Sequence, residues 1–296
     1  MACALCTESE PAVLEARDDT TFRILQLTDF HSDVSEFMNE RTRADVRAMI
    51  AHFKPDLLAV TGDIWCGDDH PESAPMWMAR DLAFLGGLGV PWAFTWGNHD
   101  WFDDFQAARV RIAATPNAIA PEGDGHGHFR IEVHPPGASR PAWDLFFLNS
   151  GPSWNLPGDL DWFHGECARI HEERGRVLPA IAYFHIPLRN YQDAIDTGRT
   201  IGFGTETVLF WGDDDGIAAP ILKEPGNLRA CFCGHSHKND FYFEEDGITF
   251  AYGRATGYGG YGGEELPKGG KLLLLDLNTG AFCFQTVFAD GSVWSP

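Results

Sequence analysis

Strand-length apolar runs alternate with amphipathic helical stretches in the first part of the chain, and this alternation restricts the folds open to it. Apolar residues at helical spacing, such as Val46, Met49 and Phe53, follow the first run. The pattern predicts strands at 22–28, 57–61 and 92–96, and helices near 42–53, 75–88 and 103–114. A strand–helix–strand repeat of this kind indicates a largely parallel sheet with helices on its faces.

The rest of the chain is rich in strand-like runs. Strands are predicted at 143–149, 180–184, 228–233, 248–252 and 271–277, with one helix from Leu160 to about Gly175. No tandem repeat or Pro/Ser-rich linker divides the sequence. We therefore expect a single α/β domain over residues 21–296, preceded by an N-terminal tail over residues 1–20.

The net charge of the 296-residue chain excludes several classes of partner. Its 22 basic and 43 acidic residues give a formal net charge of −21 at pH 7. Such a surface repels phosphate backbones, so neither a nucleic-acid polymer nor an anionic membrane is an expected partner. A phosphate group that binds this protein must therefore be met by bound cations.

Several sequence features bear on the cellular compartment. No apolar run approaches the ~18 to 20 residues needed to cross a bilayer. The N-terminal residues lack the basic and apolar regions of a signal peptide. Seven cysteines form an odd, scattered set, which fits free thiols in a reducing compartment. These features predict a cytoplasmic location.

Five clusters of polar residues directly follow predicted strands, where open α/β sheets place their ligand sites. A single Asp or His at such a position is commonly a turn or capping residue. Five in succession predict one shared site. The clusters are Asp29-Phe30-His31, Gly62-Asp63, Gly97-Asn98-His99-Asp100, His185 and Gly234-His235-Ser236-His237.

The donor types in these clusters favour transition metals. Asp29 and His31 stand two residues apart, so both can face the same side of a strand end and chelate one cation. Asp63 can bridge two cations, and a carboxylate buried among other acids needs such partners. Carboxylate, amide and imidazole donors suit Mn, Fe, Zn or Ni better than Ca or Mg. Two ions roughly 3.5 to 4 Å apart could clamp both oxygens of an in-line displacement at phosphorus.

The ordered set D-x-H, G-D, G-N-H-D, H and G-H-x-H resembles the calcineurin-like metallophosphoesterase superfamily, over about residues 22 to 277. The segment GITFAYGRATGYGGYGG and the KNDF after the last His pair are similar to the branch called purple acid phosphatase type 29. The resemblance implies a sandwich of two mixed β-sheets flanked by helices. It also implies two divalent transition-metal ions as cofactors and a small phosphate ester as partner.

The same resemblance implies a role for each residue of the clusters. Asp29, His31, Asp63 and His237 would hold the first metal, and Asp63, Asn98, His185 and His235 the second. His99, oriented by Asp100, would be the general acid or an electrostatic stabiliser. A hydroxide bridging the two metals would be the nucleophile. Asn98 and His99 would also contact substrate.

Two further motifs have alternative interpretations. Arg254, in the Gly-rich run 253–263, could fork onto the substrate phosphate or pair with one of the many acidic residues. Gly125-His126-Gly127-His128 repeats the G-H-x-H pattern of the last cluster, but it follows a polar turn instead of a buried strand. We interpret this second motif as an exposed loop and not as a metal site.

The implied activity is phosphomonoester hydrolysis, with phosphodiester hydrolysis, including that of cyclic nucleotides, as the alternative and a non-catalytic scaffold as a third possibility. In the coloured members of the resembled family, a Tyr three residues after the G-D aspartate binds ferric iron. Here that position is Cys66, and the first motif supplies His31. We therefore expect a divalent metal pair and no purple colour.

Overall fold

The structure, a computed structural model, describes residues 11–33, 35–121, 126–150, 156–210, 214–263 and 266–295. Its helices are α1 (Glu36–Phe53), α2 (Ala74–Gly86), α3 (Phe105–Ala113), α4 (Leu156–Arg174), α5 (Arg189–Asp196) and α6 (Ala218–Lys223). Its strands are β1 (Ala12–Glu15), β2 (Thr21–Leu27), β3 (Leu57–Thr61), β4 (Trp92–Thr95), β5 (Ala118–Ile119), β6 (Phe129–His134), β7 (Trp143–Phe147), β8 (Ala180–Tyr183), β9 (Ile201–Gly204), β10 (Leu228–Cys233), β11 (Asn239–Glu245), β12 (Ile248–Tyr252), β13 (Gly270–Asp276), β14 (Phe282–Val287) and β15 (Val293–Trp294).

One sheet contains the alternating strands of the N-terminal part. Within the described residues its order is β15-β14-β13-β2-β3-β4-β5. Strands β2, β3, β4 and β5 run parallel, as the strand–helix repeat predicts, whereas β13 pairs with β2 in antiparallel register. The sheet is therefore mixed, and its parallel half places the ends of β2, β3 and β4 at one edge.

The second sheet is built from the C-terminal strands and one N-terminal strand. Its order is β1-β6-β7-β8-β10-β12-β11-β9. The central strands β7, β8, β10 and β12 are parallel. β6 pairs antiparallel with β7, and β11 pairs antiparallel with both β12 and β9. The carboxyl ends of β8 and β10 therefore also meet at one edge.

The two sheets pack face to face because each has apolar side chains on the face that meets the other sheet. In β2, Phe22 and Ile24 lie in a buried cluster with Phe147 of the eight-stranded sheet. Leu25, the next residue along the strand, packs on the other face of the sheet, in a cluster with the side chains of α1, α2 and α3. Burial of each such side chain stabilises the fold by ~1.5 to 3 kcal/mol.

Helices cover the outer face of the eight-stranded sheet as well. Phe163 of α4, Tyr191 of α5 and Leu222 of α6 share a buried cluster with the outward side chains of that sheet. The order of layers is thus helices, sheet, sheet, helices, and the predicted sandwich of two mixed sheets flanked by helices is confirmed. Among the described helices, none has both the length and the apolar character required to cross a membrane.

The predicted N-terminal tail over residues 1–20 is wrong in its second half. Strand β1 pairs in parallel with β6, from Ala12 opposite Ile131 to Glu15 opposite His134. Its sequence signal is weak because the strand has only four residues and lies at the edge of the sheet, where Val13 is exposed. Residues 1–10 lie outside the described residues, and the single domain over 21–296 stays a prediction.

Candidate metal centre

The polar clusters follow the carboxyl ends of five parallel strands, and the sandwich brings these ends together. The clusters after β2, β3 and β4 extend from the seven-stranded sheet, and those after β8 and β10 extend from the other. Because parallel strands present their carboxyl ends at the same edge, the five loops converge between the two sheets. The converging side chains belong to Asp29, His31, Asp63, His99, His185, His235 and His237. The place of Asn98 in the second metal site stays a prediction.

The backbone at these positions adopts an unusual conformation. Asp29, His31, Asp63 and His235 have φ angles of 56°, 49°, 53° and 80°. The left-handed region costs a non-glycine residue of order 1 to 3 kcal/mol, and it persists where the surroundings hold it. Here the loops hold each other, since the amides of Asp29 and His31 donate to the carbonyls of Gly62 and Asp63 at 3.0 Å each. The strain turns these side chains towards a common point.

Glycine is required where these loops cross. A Cβ on Gly97 would lie 2.1 Å from Oδ1 of Asp63, and a Cβ on Gly62 would lie 2.6 Å from Nδ1 of His185. Neither approach is possible for a larger residue without displacing the neighbouring side chain. The glycines of the G-D and G-N-H-D motifs therefore allow the close packing of the donors.

The first donor group contains Asp29, His31 and His237. One donor atom from each lies within 4.8 Å of the others, and all three side chains are buried. Nε2 of His237 is 3.2 Å from Oδ1 of Asp29, and Nε2 of His31 is 3.9 Å from the same oxygen. Two imidazoles thus face one carboxylate, which is an arrangement that can hold a divalent cation.

The second donor group contains Asp63, His185 and His235, again within 4.8 Å of one another. Nε2 of His185 is 2.9 Å from Oδ2 of Asp63, and Nε2 of His31 approaches the same oxygen at 3.6 Å. The Asp63 carboxylate therefore lies between the two donor groups, in a position suited to bridging two cations.

Polar atoms without hydrogen-bond partners support cation binding here. Among the described residues, the buried atoms that lack a partner include Nε2 of His31, Nε2 of His185 and Oδ1 of Asn98. Leaving such a group unpaired costs ~1 to 3 kcal/mol. His31 and His185 belong to the two donor groups, so their unpaired nitrogens indicate where a cation would bind. All three are lone-pair donors of the type that divalent transition metals bind. The residues therefore fit a metal centre.

The second nitrogen of each buried imidazole is held by the protein. Nδ1 of His185 donates to the carbonyl of Thr61 at 2.7 Å, and Nδ1 of His237 donates to that of Tyr261 at 3.2 Å. Nδ1 of His31 is 3.4 Å from Sγ of Cys66. Such contacts fix the tautomer and direct the Nε2 lone pair to the metal position.

Electrostatics favours charged carboxylates in the two donor groups. Burial alone would raise the pKa of Asp29, but the neighbouring His237 outweighs burial and holds this pKa well below its usual value. The pKa of Asp63 is likewise lowered, against burial, by His185. Burial lowers the pKa of His235 to about 4, and the charge of His185 contributes. Asp29 and Asp63 are therefore anionic and His235 is neutral at pH 7. Against burial, the charge of Asp63 raises the pKa of His185 to about 9, so a cation that binds there must displace the proton of His185.

The predicted role of Asp100 as the residue that orients His99 is wrong. The buried Asp100 carboxylate accepts the amides of Asp63, Ile64 and Gly97, each at 2.7 Å, and thereby ties the loops after β3 and β4 together. Burial and the charge of Asp63 raise its pKa to about 7. Adjacent residues project in different directions from a turn, so Asp100 is directed into the loops while His99 borders the cavity.

Asp68 takes the position that Asp100 was expected to hold. Its Oδ1 lies 2.8 Å from Nδ1 of His99. Asp68 is not among the predicted site residues, although it lies only five residues after Asp63 of the G-D motif. The amide of Gly67 donates to the carbonyl of His99 at 2.8 Å, and this contact brings the two loops together.

Arg254, assigned to substrate binding in one of its two interpretations, does not contact the cavity. Arg254 is buried, with Nη2 2.5 Å from Oδ2 of Asp240 and Nη1 donating to the carbonyl of Pro267. It does not border the cavity at the donor groups. Of the two interpretations left open, pairing with an acidic residue is the one observed. The arginine anchors the start of the Gly-rich segment.

The Gly-rich segment itself packs against the donor groups. A Cβ on Gly259 would lie 1.8 Å from the carbonyl oxygen of His31, and one on Gly260 would lie 2.3 Å from Cε1 of His237. The ring of Tyr261 stacks on that of His237, with centroids 4.1 Å apart and an angle of 11°. Only glycine permits so close an approach of this backbone to the two histidines.

Replacing Gly260 with Ala is expected to weaken metal binding at the first donor group. The added Cβ must displace the His237 ring, and loss of support for a metal-binding His typically costs ~10- to 100-fold in affinity. Gly263→Ala is the matched control, because a Cβ there meets only the flexible Lys268 side chain, at 3.2 Å. Metal stoichiometry and affinity of both variants check the prediction. Equal affinities would contradict it.

The second G-H-x-H-like motif differs from the predicted exposed loop. His126 is exposed, but His128 is buried and its Nδ1 accepts the amide of Asn149 at 2.9 Å. Neither histidine belongs to a donor group within the described residues. The motif therefore serves packing next to β6.

An open cavity of about 350 Å³ leads to the donor groups. His31, Asp63, His235, His237 and His99 border it, together with Asp33, Cys66, Asp69, His70, Leu209, Gly259, Gly260 and Tyr261. A donor atom of His99 also lies within 4.8 Å of atoms of His31 and Asp63. A small ligand in the cavity would thus meet the metal position and His99 together.

Comparison with known proteins agrees with this geometry. A family model described as calcineurin-like phosphoesterase matches residues 22–239. In Arabidopsis thaliana, "Probable inactive purple acid phosphatase 28" is 31% identical over 295 residues, which cover 84% of this chain and 74% of that protein. "Probable inactive purple acid phosphatase 29" of the same plant is 27% identical over 94% of this chain and 84% of its own length.

A solved structure shows the same fold. A dimetal phosphatase from Danio rerio superposes with a TM-score of 0.61 at 9% identity, and the match covers 90% of this chain and 99% of that one. The resemblance found in the sequence, both to the superfamily and to the purple acid phosphatase branch, is confirmed. The five ordered motifs, the two-sheet sandwich and the matching family model lead to one conclusion: this chain belongs to the calcineurin-like phosphoesterase family.

Proposed function

We propose that this protein is a phosphomonoesterase that depends on two divalent transition-metal ions. The observation that carries the proposal is the position of the Asp63 carboxylate between two sets of converging donors. The first metal would be held by Asp29, His31, Asp63 and His237, and the second by Asp63, Asn98, His185 and His235. When bound, the two ions supply an activated water and neutralise the charge of the phosphoryl oxygens.

His99 is the residue suited to protonating the leaving oxygen. It borders the cavity, and its backbone amide donates to Oδ1 of Asp63 at 2.8 Å. Burial would lower the pKa of its imidazole, but the charge of Asp63 and the contact with Asp68 raise it. With Nδ1 engaged by Asp68, the proton available to substrate is on Nε2. The imidazole is thus placed to act as a general acid next to the metal position.

The names of the two plant relatives contain the word inactive, so turnover by this chain needs a direct test. The protein is loaded with Mn, Zn or ferrous iron, its metal content is measured, and an aryl monoester, an aryl diester, a cyclic nucleotide and a phosphopeptide are assayed in parallel. We expect the monoester to be hydrolysed fastest. Protein with two ions per chain that hydrolyses none of the four would contradict the proposal and favour a scaffold.

Phosphodiester hydrolysis is the second candidate function, and one observation favours it. Among the described residues that border the cavity, none is Arg or Lys. A monoester dianion has one more anionic oxygen to stabilise than a diester, and only the metals and His99 are placed to do so. A diester preference in the parallel assay would replace the monoesterase proposal while leaving the metal assignment in place.

Replacing Asp68 with Asn is expected to shift the pH profile of hydrolysis. The general acid must be protonated, so activity falls as pH rises through the pKa of His99. Asp68 helps to raise that pKa. Its removal lowers the pKa, and the basic limb of the kcat/KM profile should therefore move to lower pH. An unchanged limb would show that another group titrates there.

Iron-loaded protein is expected to lack the purple colour of its relatives. By the spacing of the resembled family, Cys66 stands at the sequence position of the phenolate, and its Sγ lies 3.4 Å from Nδ1 of His31. The hydroxyls of Tyr252, Tyr258 and Tyr261 bond instead to Ser236, Asp45 and Glu206. The visible spectrum of protein loaded with iron under air tests this. A strong tyrosinate-to-iron band that disappears on mutation of a Tyr would contradict the assignment of the first metal.

A further inference from the structure

The outer part of the cavity carries negative charge on several sides. Asp33 follows the first motif, and Asp69 follows the second, so these two carboxylates come from different loops and both border the cavity. Glu206, from a third loop, accepts a hydrogen bond from the Tyr261 hydroxyl at 3.1 Å. A negatively charged leaving group would be repelled by this rim.

No lysine or arginine borders the cavity within the described residues. The nearby lysine Lys268 is buried and donates to the carbonyl of Tyr261 at 2.8 Å, and it does not border the cavity. Arg254 is engaged with Asp240.

Apolar and aromatic surface accompanies the carboxylates. Tyr261 is 51% exposed and Leu209 is 63% exposed, and both border the cavity. An aromatic ring beside carboxylates is a typical environment for an ammonium group, which gains from the ring as well as from the charges. Leu209 offers a contact for the methyl or methylene groups around the nitrogen.

The rim is close to the reacting position. Donor atoms of Asp68, Asp69 and His99 lie within 4.8 Å of one another, as do those of His31, Asp63 and His99. His99 thus adjoins both the metal position and the rim. A group only a few bonds away from the phosphorus would reach the carboxylates, and a cavity of about 350 Å³ suits a small molecule better than a polymer.

We propose that the substrate is a phosphate ester of an amino alcohol, with the phosphate at the donor groups and the ammonium group between Asp33, Asp69 and Tyr261. This inference rests on the proposed function and adds the chemical class of its leaving group. The bond between phosphorus and the alkoxy oxygen breaks, water supplies the oxygen that replaces it, and His99 gives the leaving oxygen its proton. The products are inorganic phosphate and a cationic alcohol.

Matched substrates test the charge of the leaving group. Phosphocholine is compared with neohexyl phosphate, in which carbon replaces the ammonium nitrogen at nearly constant shape. We expect kcat/KM to be roughly tenfold higher for phosphocholine than for neohexyl phosphate at low ionic strength. The ammonium group would gain two exposed ion pairs, with Asp33 and Asp69, and one cation–π contact with Tyr261. The preference should decrease as salt is added, because exposed charges are screened.

Asp69→Asn should reduce the ratio of kcat/KM for phosphocholine to kcat/KM for neohexyl phosphate several-fold. Asp161→Asn is the control variant, because Asp161 is exposed on α4 and does not border the cavity, and it should leave this ratio unchanged. Turnover of both esters with a ratio near one would overturn the inference and leave the proposed function standing. Turnover of neither by the two-metal protein would overturn the proposed function itself.

Two further outcomes would also overturn the inference. Titration with Mn²⁺ alone could reveal a third ion that Asp69→Asn removes, which would assign Asp68, Asp69 and His99 to metal binding. A phosphopeptide rich in basic residues could be preferred over phosphocholine, which would assign the rim to a protein substrate.

Discussion

Asp63→Asn is expected to abolish phosphate-ester hydrolysis and to reduce the bound metal below two ions per chain. Oδ2 of Asp63 faces His31 on one side and His185 on the other, so its charge serves both metal positions. Metal binding requires deprotonated, charged donors, and an amide supplies no charge. The loss should exceed the ~10- to 100-fold effect of removing a residue that only supports a ligand.

The substitution leaves the surrounding structure intact, so the result can be interpreted. Oδ1 of Asp63 accepts the amide of His99 at 2.8 Å, and an Asn side chain can still accept it. Circular dichroism should therefore match that of the wild type. Metal analysis and kcat are measured on the same preparation. Full turnover by Asp63→Asn, or by metal-stripped protein, would overturn the binuclear assignment.

His99→Ala is expected to slow hydrolysis by an amount that depends on the leaving group. A positioned general acid contributes ~10²- to 10⁴-fold when the leaving oxygen needs its proton. Alkyl phosphates, whose alcohols are poor leaving groups, should therefore lose most of this factor. Nitrophenyl phosphate, whose phenolate leaves without protonation, should lose far less.

Equal losses with both substrates would instead indicate that His99 acts only through its charge. His99→Gln tests whether a hydrogen bond alone is sufficient, since the amide can hydrogen-bond to Asp68 but can neither carry a positive charge nor transfer a proton to the leaving oxygen. Its kcat with alkyl phosphates should remain as low as that of His99→Ala. Recovery of activity in His99→Gln would contradict a proton transfer from this position.

The strands and the order of the motifs could be predicted because their signals are local. Burial of a strand requires a run of apolar residues, and β3, β8 and β10 appear in the sequence as such runs. A polar residue directly after each run marks the sheet edge. The edge strand β1 was missed because four partly exposed residues at a sheet edge leave too weak a pattern.

The partners of charged residues could not be predicted in the same way. Asp68 and Asp100 are both near His99 in the loops of the site, and the sequence order favoured Asp100, which is adjacent. The tertiary structure turns Asp100 onto three backbone amides and brings Asp68 to the His99 ring. Pairing depends on the direction of each side chain at a turn, which the spacing of residues does not encode.

The sequence by itself predicted an α/β fold with a polar cluster after each of five strands, since strand periodicity and the residue types at strand ends are properties of short segments. Through the resemblance that these clusters carry, it also predicted the family and the sandwich of two sheets. Only the tertiary structure decided that Asp63 lies between the donor groups, that Arg254 is buried against Asp240 and that the Gly-rich segment packs on His237. These contacts join residues far apart in the chain. Their geometry arises from the packing of two sheets, and no local pattern contains it.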